Sequence, residues 1–204
     1  MAIITTSTRI ALCEDLILES GGTLLDPWKY ARRADKAKTV GPMVEAFDEF
    51  RKDSGVEHFS GLEILTPSED SQKHAREAGS KASEYKGQFV LVLPVWMWTP
   101  MIALYKGVCD PIRKAHGRAV NSRNSQRPWW INQVVATSGV DSDHPHTACA
   151  DLDLTDGGDH YAAHRVADEF YETYGDRLEV SKGQSSKTIH ISIFGPRGHR
   201  QWDY

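Results

Sequence analysis

The side chains best suited to chemistry in this sequence are potential metal ligands between Ser142 and Asp151, a segment that reads SDHPHTACAD. His144 is expected in a loop, and Asp151 follows seven residues later on a predicted strand, which leaves enough chain for a turn that brings both side chains together. Zinc binds neutral imidazole nitrogens and carboxylate oxygens, and a catalytic zinc ion needs three protein ligands because its fourth position holds water. We therefore interpret His144 and Asp151 as two ligands of a Zn²⁺ ion.

His190 is the best candidate for the third ligand. It lies in the middle of a predicted strand, between Ile189 and Ile191. Because successive side chains of a strand point to opposite faces, the imidazole points away from both isoleucines and faces either solvent or a polar site.

Other residues near these three have plainer interpretations. Asp143 and Asp153 could bind a second cation, but nothing in the sequence requires one. Cys149, on a strand among small residues, is expected to be a buried structural thiol and not a nucleophile.

An HExxH helix and a CxxC pair, two common metal signatures, are both absent. Most loop histidines are simply exposed, and this is the expectation for His146, His160, His164 and His199.

The elements that must position these residues lie in the C-terminal half. Thr99-Pro100 is an N-cap followed by proline at the first helical position, so a helix is predicted from there to Gly117, with a kink or a delayed start at Pro111. A second helix is predicted from Asp159 to Tyr174. The predicted strands are Ile131 to Thr137, Cys149 to Leu154, Arg177 to Val180 and Thr188 to Phe194.

The N-terminal half is predicted to be mostly helical. Helices are expected over residues 8–20 and 27–53, the latter split at Gly41-Pro42. Short apolar segments predict strands at residues 62–65 and 89–95. The fold class is thus α+β: a small antiparallel sheet with flanking helices in residues 96–204, preceded by a mostly helical extension, residues 1–95, of unknown role.

Composition excludes several classes of protein. The chain has 204 residues and a net charge of -4, which argues against nucleic-acid binding through bulk positive charge. No apolar run approaches the roughly 20 residues of a membrane span, so no membrane insertion is expected. The N-terminus lacks a basic region followed by an apolar one, which predicts synthesis in the cytoplasm without a signal peptide. Three widely spaced cysteines do not make a disulfide framework.

Four tryptophans have two possible roles. A sugar-binding platform and packing in the core are both compatible with such a group, and we favour packing because two of its members flank the predicted buried strand. The group consists of Trp96, Trp98, Trp129 and Trp130.

The segment from Ser142 to Asp151 resembles the SxHxxGxAxD signature of zinc peptidases of the D-Ala-D-Ala carboxypeptidase and L-alanyl-D-glutamate endopeptidase type, the M15 family. The resemblance covers about residues 99–202 and is nearest to the phage-encoded branch. It includes a preceding helix, CDPIRKAHG, a strand that ends in TSG, and the C-terminal IHIS. It implies the fold of these peptidases and a zinc ion held by His144, Asp151 and His190.

The chain also departs from this family. Thr147 stands where the family has glycine, and Val140-Asp141 stands where the family has a substrate-binding Tyr-Arg pair. The general base of the family is an acid shortly before the last histidine, and here Glu179 is the candidate, brought back across a hairpin. Ser142 is assigned to substrate binding, or to fixing the loop or a ligand beside the zinc site, and the alternative is a simple turn residue.

The resulting functional prediction is a zinc-dependent metallopeptidase that hydrolyses amide bonds of peptidoglycan stem peptides or cross-links. Its origin would be a phage, and it would be virion-associated or released at lysis. The alternatives are a tail, baseplate or capsid-associated virion structural protein with a peptidase-like fold and impaired or absent catalysis, and a zinc-stabilised module that binds cell-wall peptide without cutting it. The expected partners are accordingly peptidoglycan peptides or other virion proteins.

Overall fold

The computed structural model describes residues 6–34, 37, 39–77, 83–123, 125, 143–144, 147–195 and 198–203. The helices are α1 (Thr6–Glu19), α2 (Pro27–Ala31), α3 (Gly41–Asp53), α4 (Gly61–Leu65), α5 (Glu69–Glu77), α6 (Trp98–Leu104), α7 (Asp110–His116) and α8 (His160–Leu178). The strands are β1 (Ser83–Tyr85), β2 (Gln88–Val90), β3 (Val120–Arg123), β4 (Ala148–Leu154), β5 (Ser181–Gln184), β6 (Thr188–Ile193) and β7 (Arg200–Asp203). The predicted α+β class is confirmed.

The C-terminal strands form one five-stranded sheet in the order β3-β4-β6-β5-β7, while β1 and β2 form a separate hairpin. All neighbours in the larger sheet are antiparallel except β5 and β7, which are parallel. The sheet is therefore mixed, whereas the sequence predicted a purely antiparallel one.

The two faces of this sheet differ in chemistry because the side chains of each strand alternate. On β6, Ile189, Ile191 and Ile193 point to one face and are fully buried. They pair with apolar residues of β4, and this face packs against α6 and α8. His190 and its neighbours two residues away point to the other face, which is polar. The register of β4 and β6 thus creates one face for the core and one for the site.

A continuous helical rod, from Trp98 to His116, lies behind the apolar face and matches the helix predicted from Thr99 to Gly117. Its middle turn, Tyr105–Cys109, is a π-helix between α6 and α7. Pro111 falls in the first turn of α7, directly after this π turn, so the irregularity expected at Pro111 lies just before it and takes the form of a π-helical turn.

The N-terminal helices share the core of the sheet domain. Gly107 in the rod lets α1 approach closely, because a Cβ at this position would lie 2.9 Å from the side chain of Leu16. Phe47 and Phe50 of α3 pack on Trp98, with ring centroids 5.3 and 5.6 Å apart. Buried residues from Cys13 to Phe194 form a single hydrophobic cluster. The division into residues 1–95 and 96–204 stays a prediction. The two regions bury their apolar surface in one shared core.

Several predicted elements differ from the structure. Residues 62–65 belong to helix α4, not to a strand, and residues 177–178 are the end of α8. The segment 89–95 is a strand only at its start. Strands β1, β3, β5 and β7 were not predicted, and the predicted strand 131–137 lies outside the described residues.

Two of the four tryptophans fall within the described residues. Trp98 is 1% exposed and packs in the core, as predicted, whereas Trp96 is 56% exposed. Trp129 and Trp130 lie outside the described part of the chain. Among the helices that the structure describes, none has both the length and the apolar composition that crossing a membrane requires.

Candidate metal centre

The polar face of the sheet brings together the three side chains that the sequence predicted as ligands. Asp151 on β4 is paired directly with His190 on β6, so both side chains project from the same face. His144 lies just before β4 and reaches the same point. Ligand atoms of the three residues all lie within 4.8 Å of one another, and the group could hold a metal ion.

The carboxylate of Asp151 lies between the two imidazoles. Its Oδ1 is 2.7 Å from Nδ1 of His190, and its Oδ2 is 3.3 Å from Nε2 of His144. Two ligand atoms on a tetrahedral zinc ion are roughly 3.4 Å apart, given zinc–ligand bonds of about 2.0–2.1 Å. The spacing of the donors is therefore close to what a zinc ion requires.

The buried carboxylate of Asp143 binds the outer nitrogen of His190, which is the ring nitrogen that points away from Asp151. The Nε2–H group of His190 donates to Oδ2 of Asp143 over 3.2 Å, and Oγ of Ser192 donates to the same oxygen over 2.9 Å. Asp143 can lie this close to the backbone of Gly195 because glycine has no side chain. A Cβ at position 195 would lie 2.6 Å from Oδ1 of Asp143. Carboxylates commonly orient metal-binding histidines in this way.

The outer nitrogen of His144 has a different partner. Sγ of Cys149 lies 3.0 Å from Nδ1 of His144, and its thiol donates to the carbonyl oxygen of Ser125, also over 3.0 Å. Both histidines thus have their outer nitrogen engaged by the protein, while their inner nitrogen faces Asp151.

Trp202 closes one side of the site. Its ring lies 5.2 Å from that of His190, and it packs over Gly183, where a Cβ would come within 2.5 Å of the indole. Gly183 pairs with His190 on one side and with Trp202 on the other. The unpredicted strand β7 therefore supplies an apolar wall to the cluster.

The electrostatics of the cluster are dominated by burial and by the alternation of acid and imidazole. Burial acts to lower the pKa of His190, but the carboxylates of Asp143 and Asp151 outweigh it and raise the pKa to about 9. Burial acts to raise the pKa of Asp151, but His144 and then His190 outweigh it and hold that pKa well below its usual range. The pKa of Asp143 is lowered in the same way, against its burial, by His190 and Ser192.

The alternation of acid and imidazole also bears on which ion the cluster could hold. Asp143 and Asp151 carry two negative charges, and the imidazoles of His144 and His190 offset them. Burying an unbalanced charge is costly. A divalent cation bound by two neutral imidazoles and Asp151 would balance both carboxylates, so the donor set fits a zinc ion in charge as well as in spacing.

The structure does not bring Glu179, the predicted general base, to this cluster. Its carboxylate accepts a hydrogen bond from Nη2 of Arg9 on α1, at 3.1 Å. Glu179 precedes Gly183, the strand partner of His190, by four residues, about 13 Å of extended chain. Its assignment as a base gains no support from these contacts and stays a prediction.

Two other predicted residues have different outcomes. Ser142 lies outside the described residues. Asp153, considered for a second cation, instead forms an ion pair with Arg123, which lies on the same face of the neighbouring strand β3.

Sequence reasoning considered Asp143 only for a second cation, and it did not assign Ser192, Gly183 or Trp202 to the site. The alternation of Thr188, His190 and Ser192 along β6 was a signal for Ser192, because side chains two residues apart on a strand share a face. Asp143 adjoins a predicted ligand, but its contact with His190 depends on a loop geometry that spacing does not reveal.

The fold and the site together define a mixed α+β protein with a buried His–Asp–His cluster on the polar face of its sheet. A scan against protein-family models finds no match to this chain, and searches of curated proteins and of solved structures find none either.

Proposed function

We propose that this protein is a zinc-dependent metallopeptidase that hydrolyses amide bonds in peptidoglycan stem peptides or cross-links, and that it is of phage origin. The observation that carries the metal centre is the convergence of His144, Asp151 and His190, with donor atoms within 4.8 Å of one another. The substrate class and the origin rest on the resemblance of residues 142–151 to the signature of cell-wall zinc peptidases.

The protein would hold the metal through Nε2 of His144, Nδ1 of His190 and an oxygen of Asp151. When bound, zinc lowers the pKa of a coordinated water to about 7 and polarises the carbonyl of the scissile bond. Asp143 would keep the proton on Nε2 of His190, so that Nδ1 is available to the metal. Trp202 would restrict water on one side of His190 and thereby strengthen these electrostatic interactions.

A second candidate is a virion structural protein in which the metal stabilises the fold without catalysis. The observation that favours it is the pairing of Glu179 with Arg9, because the predicted base is engaged away from the cluster. Both candidates require a bound metal, but only the first requires cleavage.

The first experiment tests the metal centre. We expect close to one zinc ion per chain by elemental analysis of protein purified without chelator, and much less in His190→Ala and in Asp151→Asn. His58→Ala is the matched control, since the hydrogen bond from His58 to Asp110 comes from the backbone N–H of His58, which the substitution keeps. A wild-type protein without zinc that also fails to bind added zinc would exclude both candidates.

The second experiment separates the two candidates. Purified peptidoglycan and defined stem peptides are incubated with the zinc-loaded protein, and the products are analysed by mass spectrometry. The peptidase proposal expects new amide-bond cleavage that is lost in Asp151→Asn. Stoichiometric zinc with no cleavage of any stem peptide would favour the structural candidate.

A further inference from the structure

The partner of His144 in this chain is a thiol, which is an unusual group for the outer nitrogen of a metal-binding histidine. Cys149 is fully buried, and its sulfur lies 3.0 Å from Nδ1 of His144 and 3.0 Å from the carbonyl oxygen of Ser125. The segment signature discussed above has alanine two residues before its aspartate, and Cys149 is exactly two residues before Asp151.

The two hydrogen bonds of the Cys149 thiol, with Ser125 and with His144, have only one consistent assignment of donor and acceptor. A carbonyl oxygen can only accept, so the single thiol proton of Cys149 is donated to Ser125. The sulfur then acts as the acceptor, and Nδ1 of His144 must donate to it. A neutral imidazole that carries its proton on Nδ1 has its lone pair on Nε2, the atom that faces Asp151.

We propose that Cys149 is a positioning residue that fixes the tautomer and the ring orientation of His144 for metal binding. This inference rests on the metal centre of the proposed function. The sulfur is not itself a ligand, because it lies against the nitrogen of His144 opposite the one that faces Asp151. In this role it corresponds to Asp143, which holds the outer nitrogen of His190.

The same three residues could also be arranged for a different chemistry. Cys149, His144 and Asp151 form a chain of thiol, imidazole and carboxylate, the order found in cysteine hydrolases. The burial of the sulfur and its bond to Ser125 argue against a nucleophile, since neither leaves the thiol open to a substrate. Reaction of the native protein with iodoacetamide tests this alternative directly.

The test compares Cys149→Ala with Cys149→Ser, and uses Cys13→Ala as a control because Cys13 is equally buried but lies on α1. Zinc affinity is measured by competition with a chromophoric chelator. We expect Cys149→Ala to lose about 10–100-fold in affinity, the usual effect of removing an outer-shell partner. Cys149→Ser should recover most of this loss, because a hydroxyl can also accept from Nδ1–H and donate to a carbonyl.

A spectroscopic readout separates positioning from a general effect on packing. Long-range ¹H–¹⁵N NMR of the zinc-loaded wild type is expected to show His144 protonated at Nδ1 and metal-bound at Nε2. Unchanged zinc affinity in Cys149→Ala would overturn the inference while leaving the metal centre intact. A wild type that binds no zinc would overturn both, and alkylation of Cys149 with loss of peptide cleavage would overturn the inference in favour of a nucleophile.

Discussion

Among the residues of the site, His190 has its pKa set by two neighbouring acids, because its imidazole lies between the carboxylates of Asp143 and Asp151. These two groups raise its pKa to about 9 despite burial. Without metal, the ring is therefore protonated at neutral pH and takes the place of a cation between the acids. A metal ion must displace that proton before it can bind Nδ1, so zinc and protons compete for the same residue.

The first prediction follows from this competition. Zinc affinity, corrected for the chelator, should rise about tenfold per pH unit between pH 6.5 and 9, with roughly one proton released per ion bound. Calorimetry in buffers of different ionisation enthalpy measures the released proton directly. An affinity that does not change over this range would contradict a protonated His190.

The metal-free protein should show the opposite trend. The folded-state pKa of His190 is raised, so its contribution to stability is complete below the unfolded pKa of about 6.5 and is lost as the pH rises towards 9. Thermal unfolding of metal-free protein should therefore shift to lower temperature across this window. Zinc-saturated protein, in which the bound metal would keep the second ring proton off His190 across this window, serves as the control.

At the scale of elements, the end of α8 is the point where sequence and structure differ most for the predicted site. The strand predicted from Arg177 to Val180 is helical up to Leu178, and Glu179 then adopts a left-handed conformation with φ of 47°. This turn leads the chain into β5 and leaves the carboxylate of Glu179 beside Arg9. Glu179, the predicted base, thus lies at the end of α8 and is paired with the N-terminal helix α1.

We expect Glu179→Gln to leave zinc affinity unchanged and to change the rate of peptide cleavage by less than about twofold. A part-exposed ion pair contributes roughly 0–1 kcal/mol, so the free energy of unfolding should fall by no more than about 1 kcal/mol. Chemical denaturation and kinetics on the same preparation measure both effects. A loss of 10²-fold or more in rate at normal zinc content would restore the role of general base.

The elements that the sequence predicted well have a clear periodicity. Alternation identified β4 and β6, and with them the two strands that carry Asp151 and His190. Polar edge strands such as β3 and β7 bury few side chains on either face, so they lack this signal. Residues 62–65 form a short apolar run, which does not distinguish a strand from a helix. The capping box of Ser60 and Glu63 was the available signal for the helix.

Site prediction was limited in a similar way. The three ligands were predicted because their residue types are informative and their spacing matches a signature. The outer partners Asp143 and Cys149 depend on side-chain hydrogen bonds that form only once the loop before β4 is folded. Trp202 reaches His190 through the parallel pairing of β5 and β7, which connects segments that no local pattern relates.

At the scale of the whole molecule, the N-terminal helices and the sheet depend on one core. Phe47 and Phe50 cover Trp98, and Leu16 packs against Gly107. Ion pairs join α1 to the far end of α8, where Arg177 contacts Asp15 and Glu19. Residues 1–95 therefore supply part of the support beneath the sheet that carries the candidate metal centre.

We expect residues 96–204, expressed alone, to fail to unfold cooperatively and to bind zinc weakly, because Trp98 and the rod lose their apolar cover. Circular dichroism during heating, with the full chain as control, measures this. Adding residues 1–95 as a separate chain should restore a cooperative transition. A sharp transition and normal zinc affinity in the isolated fragment would instead show that the sheet domain folds independently.

The contacts between α1 and α8 also bear on how the protein is made. A ribosome releases the residues of α1 long before Arg177 and Glu179 have been synthesised, at about 5–20 residues per second. The buried side of α1, with Cys13, Leu16 and Ile17, packs chiefly against residues 98–109, so it has no cover until those residues have been made. The ion pairs between α1 and α8 can form only later, so the final docking of α1 must wait until the end of α8 has been synthesised.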